Sequence, residues 1–182
     1  MNNFKTVTES QVTMSLLMLP SHSNFSGKIH GGFILSLLDQ IAFASASKFS
    51  GHYCVTASVD TVNFLNPIDV GELVTLKACV NFVGKTSMIV GIRVEAENIQ
   101  TGEVKHCNSS YFSMVAKDEE GKPTLVPGLI IKTKQDYRRF LNALNRKKKQ
   151  KEIDNYKVGI DYNSEDLKRE LSQYNVQIEN WN

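Results

Sequence analysis

The chain has no run of residues approaching the roughly 20 apolar positions of a membrane-spanning helix. Its opening residues, Met1-Asn-Asn-Phe-Lys-Thr-Val-Thr-Glu9, lack the apolar core of a signal peptide. Cysteine is scarce: Cys54, Cys79 and Cys107 are odd in number, widely spaced, and form no Cys-x-x-Cys pair. This excludes a disulfide framework and reads as buried, reduced thiols in a cytoplasmic protein. The four histidines, His22, His30, His52 and His106, are scattered among them. No metal site is expected. There is also no large excess of one charge: the net charge is +2 over 182 residues, and 41% apolar content is ordinary for one globular domain, with or without an appendage.

The small net charge conceals an asymmetry. Residues 1–130 carry nine basic and eleven acidic side chains, whereas residues 131–182 carry twelve basic and eight acidic ones. Much of the excess lies in Arg146-Lys-Lys-Lys149. Such a run serves as a solvated helix face, or as a site for ligand phosphates or nucleic acid. No aromatic residues interleave with it, which argues against stacking on single strands. No nucleic-acid partner is expected.

What the chain does have is concentrated in Asn24-Phe-Ser-Gly-Lys-Ile-His-Gly-Gly-Phe-Ile-Leu-Ser-Leu-Leu-Asp39, a polar loop opening onto an apolar helix. Gly31 and Gly32 stand where the helix should begin. Glycine permits close approach of a ligand, and the first amides of a helix have no intrahelical acceptor, so both amides suit a developing negative charge. From Phe33 to Phe49 the residues Phe33, Ile34, Leu37, Leu38 and Ile41 recur at helical spacing, with Gly51 just beyond the end. Asp39 points away from that stripe, but Leu35, Ala42, Phe43 and Ala46 surround it. A helix apolar nearly all round is buried on both sides. A buried carboxylate without a local cation should have a raised pKa, as a general base requires. The same pattern also fits a structural carboxylate, hydrogen-bonded or ion-paired at an interface.

After this helix the period changes to two. Alternation runs through Val55–Val59, Val74–Phe82, Met88–Ala96 and Ser110–Ala116, with an earlier strand at Val12–Met18. Asn66-Pro67, Gly71, Gly84, Gly102 and Gly121 separate the strands. Successive strands without intervening helices imply an antiparallel sheet, so the class is α+β, with five or six strands curled around one long helix. The domain is expected over residues 8–130. Residues 120–136 read as an exit linker, and residues 131–182 as a basic, helical extension with a helix at 137–150 and a polar remainder that is a second short helix or disordered.

These words, in this order, resemble the hotdog-fold acyl-CoA thioesterases, in particular the group of bacterial YciA and the mammalian brain-type acyl-CoA hydrolase. The resemblance rests on Asn24-x-x-Gly27-x-x-His30-Gly-Gly32 with Asp39 seven residues on. It extends through Val55-Thr-Ala-Ser-Val-Asp60 with Phe64 and Pro67, Gly84-Lys-Thr-Ser87, and Tyr111-Phe-x-Met-Val-Ala-x-Asp-x-x-Gly-x-Pro123 with Val126-Pro127. It covers about residues 10–145. It implies a hotdog domain acting on acyl-CoA without a cofactor, CoA being part of substrate and product. It also implies a dimer with two shared sites, commonly built into a hexamer. Asn24 and Asp39 would be the functional pair, one from each subunit, with the Ala42 and Ala46 face of the helix meeting the partner. Asp39 would act as general base or as nucleophile, beside backbone amides at Gly31 and Gly32. Gly84, Lys85, Thr86 and Ser87 would lie along CoA, and Arg138, Arg139, Arg146, Lys147 and Lys148 near its phosphates. Two other hotdog readings are a non-catalytic acyl-CoA sensor and a dehydratase with a catalytic histidine. The first usually carries an N-terminal DNA-binding helix pair, for which about ten residues before the first strand leave little room. His30 without the dehydratase context reads as a residue of the backbone-approach loop.

Overall fold

The computed structural model describes residues 3–156, together with Arg169 and Tyr174. The expected second helix or disordered segment beyond about Lys151 falls almost wholly outside them. The chain divides into two units, Met1–Leu144 and Asn145–Asn182.

In the first unit, α1 (Gly31–Ser50) lies against a six-stranded antiparallel sheet. The strands are β2 (Val12–Leu17), β3 (Tyr53–Val59), β4 (Asn63–Phe64), β5 (Leu73–Val83), β6 (Ser87–Glu97) and β7 (Val104–Lys117), after a short β1 (Phe4–Thr6). The order across the sheet is β2-β5-β6-β7-β3, with β4 also pairing β7. The sheet curls around α1, as the sequence predicts. The final strand β8 (Gly128–Ile130) pairs with β1 in parallel as a separate two-stranded ribbon. The sequence predicts a linker there, because three-residue strands are too short to display a period. The last element, α2 (Lys134–Tyr156), begins three residues earlier and runs six residues further than the expected 137–150.

The apolar stripe of α1 packs on one face of the sheet. Leu38, Ile41 and Phe49 are fully buried against Val74, Leu76, Val80, Val90 and Met114. Each such side chain contributes roughly 1.5–3 kcal/mol through burial. The helix stops at Gly51, which takes a left-handed φ of 77° that non-glycine residues seldom adopt, and whose amide donates to the Ser47 carbonyl at 2.9 Å. The opposite face of the sheet carries Lys77, Cys79, Asn81, Gly91 and Arg93. The first turns of α2 cross this face, with Phe140 against Phe82 at 5.4 Å and Arg139 donating to the Cys79 sulfur at 3.7 Å. All three cysteines are buried and free. Burial pushes the Cys79 and Cys107 thiols up from their ordinary pKa. Among the described residues no helix is long and apolar enough to cross a membrane.

Candidate active site

The entrance to α1 is shaped by His30 and Asn24. His30 is the N-cap: its Nδ1 accepts the Gly32 amide at 2.9 Å, and its carbonyl accepts the amides of Phe33 and Ile34. The two glycine amides, both expected to be free, differ here: Gly32 N–H donates to the His30 ring. Gly31 N–H finds no acceptor among the described residues, and stands at the positive end of the helix dipole. The Phe64 ring covers this glycine, since a methyl group added there would lie 3.3 Å from it.

Asn24 closes the preceding turn. Its Oδ1 accepts the Ser26 amide at 2.9 Å, the Ser26 hydroxyl at 2.7 Å and the Lys28 amide at 3.2 Å. The carbonyl half of this side chain is thus structural, which holds the Nδ2 donor half in a fixed direction.

Asp39 lies eight residues into α1, about 12 Å along the axis from Gly31 at 1.5 Å per residue. It is exposed in the single chain, not buried as the apolar pattern implies. Leu35 and Phe43 on its face are also exposed, at 37% and 38%. Ala42 and Ala46 are fully buried within the chain and so cannot form the partner-facing surface expected of them. The helix turns those two small residues toward its own sheet. Asp39 Oδ1 accepts the Thr56 hydroxyl at 2.5 Å. Thr56 stands on β3 opposite Met114 and faces α1. The sequence reading did not single out Thr56, because strand alternation places it on one face without saying which face meets the helix. A hydroxyl residue on a helix-facing strand near a lone carboxylate is the signal that would have found it.

The other expected residues do not converge on this place within one chain. Gly84 caps the β5–β6 turn by donating to the Ser87 carbonyl at 2.7 Å, and Lys85 and Thr86 accept the Val126 and Ala116 amides through their carbonyls. Gly84 and Lys85 line a cavity of about 470 Å³ with Ser50 and His52. Those residues stand at the C-terminal end of α1, about 30 Å of helix away from Gly31. Arg138 and Arg139 lie over the outer face of the sheet. Arg146, Lys147 and Lys148 belong to the part of α2 beyond Leu144, where Arg146 and Lys148 are exposed. Among the described residues no cluster of three His, Cys, Asp or Glu side chains could hold a metal ion.

A profile described as the thioesterase superfamily matches residues 26–103. Protein VdlD of Helicobacter pylori is 45% identical over 142 residues, covering 78% of this chain and 81% of the relative. A hexameric acyl-CoA thioesterase solved in its apo form superposes with a TM-score of 0.82 at 35% identity, covering 86% of this chain and 99% of the other. An acyl-CoA hydrolase from Staphylococcus aureus, solved with butyryl-CoA and CoA, superposes with a TM-score of 0.78 at 29% identity, covering 85% and 96%. Three variants of that hydrolase carry alanine in place of an asparagine, an aspartate and a threonine, spaced fifteen and seventeen residues apart. Asn24, Asp39 and Thr56 have the same spacing.

Proposed function

We propose that this chain, which belongs to the thioesterase superfamily and is a thioester hydrolase, cleaves fatty acyl-CoA to free fatty acid and CoA at a site centred on Asp39. The carrying observation is the Thr56–Asp39 hydrogen bond at 2.5 Å. It holds one carboxylate oxygen and leaves Oδ2 for water. The spacing shared with the altered residues of the Staphylococcus aureus hydrolase supports the same assignment.

Asp39 Oδ2 accepts a proton from water as the water oxygen attacks the thioester carbonyl. The resulting oxyanion is stabilised by the Gly31 amide at the helix N-terminus. Collapse breaks the carbon–sulfur bond, and the departing CoA thiolate takes the proton from Asp39. In the alternative route the carboxylate itself attacks, giving a mixed anhydride that water then hydrolyses. Neither route calls for a cofactor.

Gly31 and Asp39 of one chain are too far apart to act on one carbonyl, because the attacking atom must approach within about 3–3.5 Å. A second copy supplies what is missing. Its Asn24 and Gly31 would face Asp39 and Thr56 of the first, and exposed Leu35, Phe43 and Tyr53 offer an apolar surface for the contact. The hexameric relative supports a trimer of such dimers. Free buried cysteines suit a cytoplasmic location.

The test is thiol release from a panel of acyl-CoA thioesters. Wild type should turn over, and Asp39→Asn should lose at least about 10²-fold in kcat with little change in KM. Normal turnover by a folded, assembled variant would make Asp39 structural. A wild-type protein that binds acyl-CoA without releasing thiol would instead be a sensor.

A further inference from the structure

The outer face of the sheet, across the sheet from α1 and Asp39, holds a cavity of about 390 Å³ roofed by the first turns of α2. Four cations, Lys77, Arg93, Arg138 and Arg139, line it, and among the described residues no carboxylate does. Glu95 ties Lys77 and Arg93 to the rim at 2.7 Å each, and these two hydrogen bonds hold its carboxyl below the usual pKa range. Asp136, on the same stretch of helix, is engaged by Thr133. Arg138 and Arg139 pair with no carboxylate among the described residues.

Beneath these guanidinium groups lies Asn81, only 4% exposed. Its Oδ1 accepts the Cys79 thiol at 3.3 Å, and the Cys79 sulfur in turn accepts from Arg139. This relay fixes the orientation of the amide and leaves Nδ2 with no acceptor among the described residues, in the lining of the cavity. The cross-strand neighbour is a glycine for a steric reason: a Cβ at Gly91 would lie 2.0 Å from Asn81 Nδ2. Among the described residues only the Ser47 hydroxyl is a buried side-chain polar atom without a partner, so Asn81 Nδ2 reaches the cavity, where water or a ligand must accept from it. Here that space carries a surplus of positive charge.

We propose that this cavity is a second ligand site, distinct from the thioester site, and that it binds a multivalent phosphoryl anion. Two guanidinium forks and the Asn81 donor, with Gln135 and Asn142 at the roof, exceed what the two oxygens of a carboxylate can accept. They suit the three or more terminal oxygens of a phosphoryl group, which arginine grips in a bidentate manner. The volume accommodates pyrophosphate or a phosphomonoester.

The experiment is calorimetric titration of pyrophosphate into the full-length protein, a measurement that needs no turnover and so stands or falls separately from hydrolysis. One site per chain is expected. Affinity should fall roughly tenfold or more in Asn81→Asp, which puts a carboxylate where the donor stands, and in Arg138→Gln, an exposed change that spares the core. Binding should persist in Asp39→Asn and in the presence of saturating CoA. Displacement by CoA would identify the cavity as the phosphate subsite of the substrate and overturn the proposal. Absence of binding, or unchanged binding in a folded Arg138→Gln, would overturn it equally.

Discussion

The Thr56 hydroxyl on β3 reaches across to α1 and donates to Asp39 Oδ1 at 2.5 Å. The same oxygen contacts the Met114 sulfur at 3.5 Å, so Thr56 is held from beneath while it holds the carboxylate. Of the two Asp39 oxygens one is committed to this bond and the other is open.

Replacing Thr56 by valine keeps the shape and removes the donor. The freed carboxylate would sample rotamers in which Oδ2 no longer faces the carbonyl, so kcat should fall about tenfold or more with KM nearly unchanged. Thr56→Ser restores the hydroxyl and should recover most of the rate. A steady-state comparison of the three proteins checks this. Equal losses for valine and serine would trace the effect to strand packing.

Much of this arrangement is legible in the sequence. The apolar stripe Phe33–Phe49 and the glycine beyond it gave α1, because a buried helix face leaves a 3.6-residue period. The four long strands were legible for the corresponding reason. The facing of β3 was not. Cys54 and Thr56 meet the helix, and a bulge between Thr56 and Ser58 shifts the register, which alternation alone cannot reveal. Gly31 and Asp39 could be picked out as a small and a polar residue in an apolar helix, whereas Asn24 entered through the resemblance to a known family. The occupation of Gly32 N–H by His30 depends on one ring orientation and leaves no trace in residue spacing. The exposure of Asp39 was hidden for another reason: Leu35 and Phe43 on its face are apolar yet exposed in the single chain, and residue type alone does not distinguish an exposed apolar face from a buried one.

His30 provides a separate check on the helix entrance. His30→Ala removes the acceptor for Gly32 N–H and should cost about 1 kcal/mol, while His30→Asn should restore a side-chain cap and most of the loss. Urea unfolding of the two variants measures the difference. If His30 instead transferred protons in catalysis, asparagine would rescue stability but not turnover.

Site sharing can be tested by complementation. Asn24→Ala and Asp39→Asn homo-oligomers should each be nearly inactive. After subunit exchange, activity should return in part, because a mixed dimer retains one site with both residues intact. Exchange demonstrated by mass spectrometry without recovered thiol release would place both residues of a working site on one chain.

Acid should loosen the loop that leads to the helix. Asp69 accepts hydrogen bonds from Lys28 and Lys105, and the Lys28 bond in particular holds its carboxyl below the usual value. A depressed folded pKa contributes stability that is complete above the unfolded value of about 3.9 and is lost as pH falls through the lower, folded value. Asp69→Asn should therefore be less stable than wild type at pH 7, with the gap closing below about pH 4. The carboxylate is 41% exposed, so solvent screening keeps the gap under about 1 kcal/mol. A gap that widened in acid would contradict this sign.

Neutralising the basic run of α2 should act on substrate binding rather than on turnover. Replacing Arg146, Lys147, Lys148 and Lys149 by glutamine should raise KM for acyl-CoA roughly three- to tenfold and leave kcat nearly intact, because contacts remote from the carbonyl act alike on ground and transition states. Raising salt should shrink the effect, since exposed charges are screened within about 8–10 Å. An acyl-pantetheine substrate, which lacks the nucleotide phosphates, should show little change. Equal losses for the two substrates, or none for either, would assign the run to solubility or assembly. The comparison separates this run from the outer-sheet cavity as well, because pyrophosphate affinity should not change in the same variant.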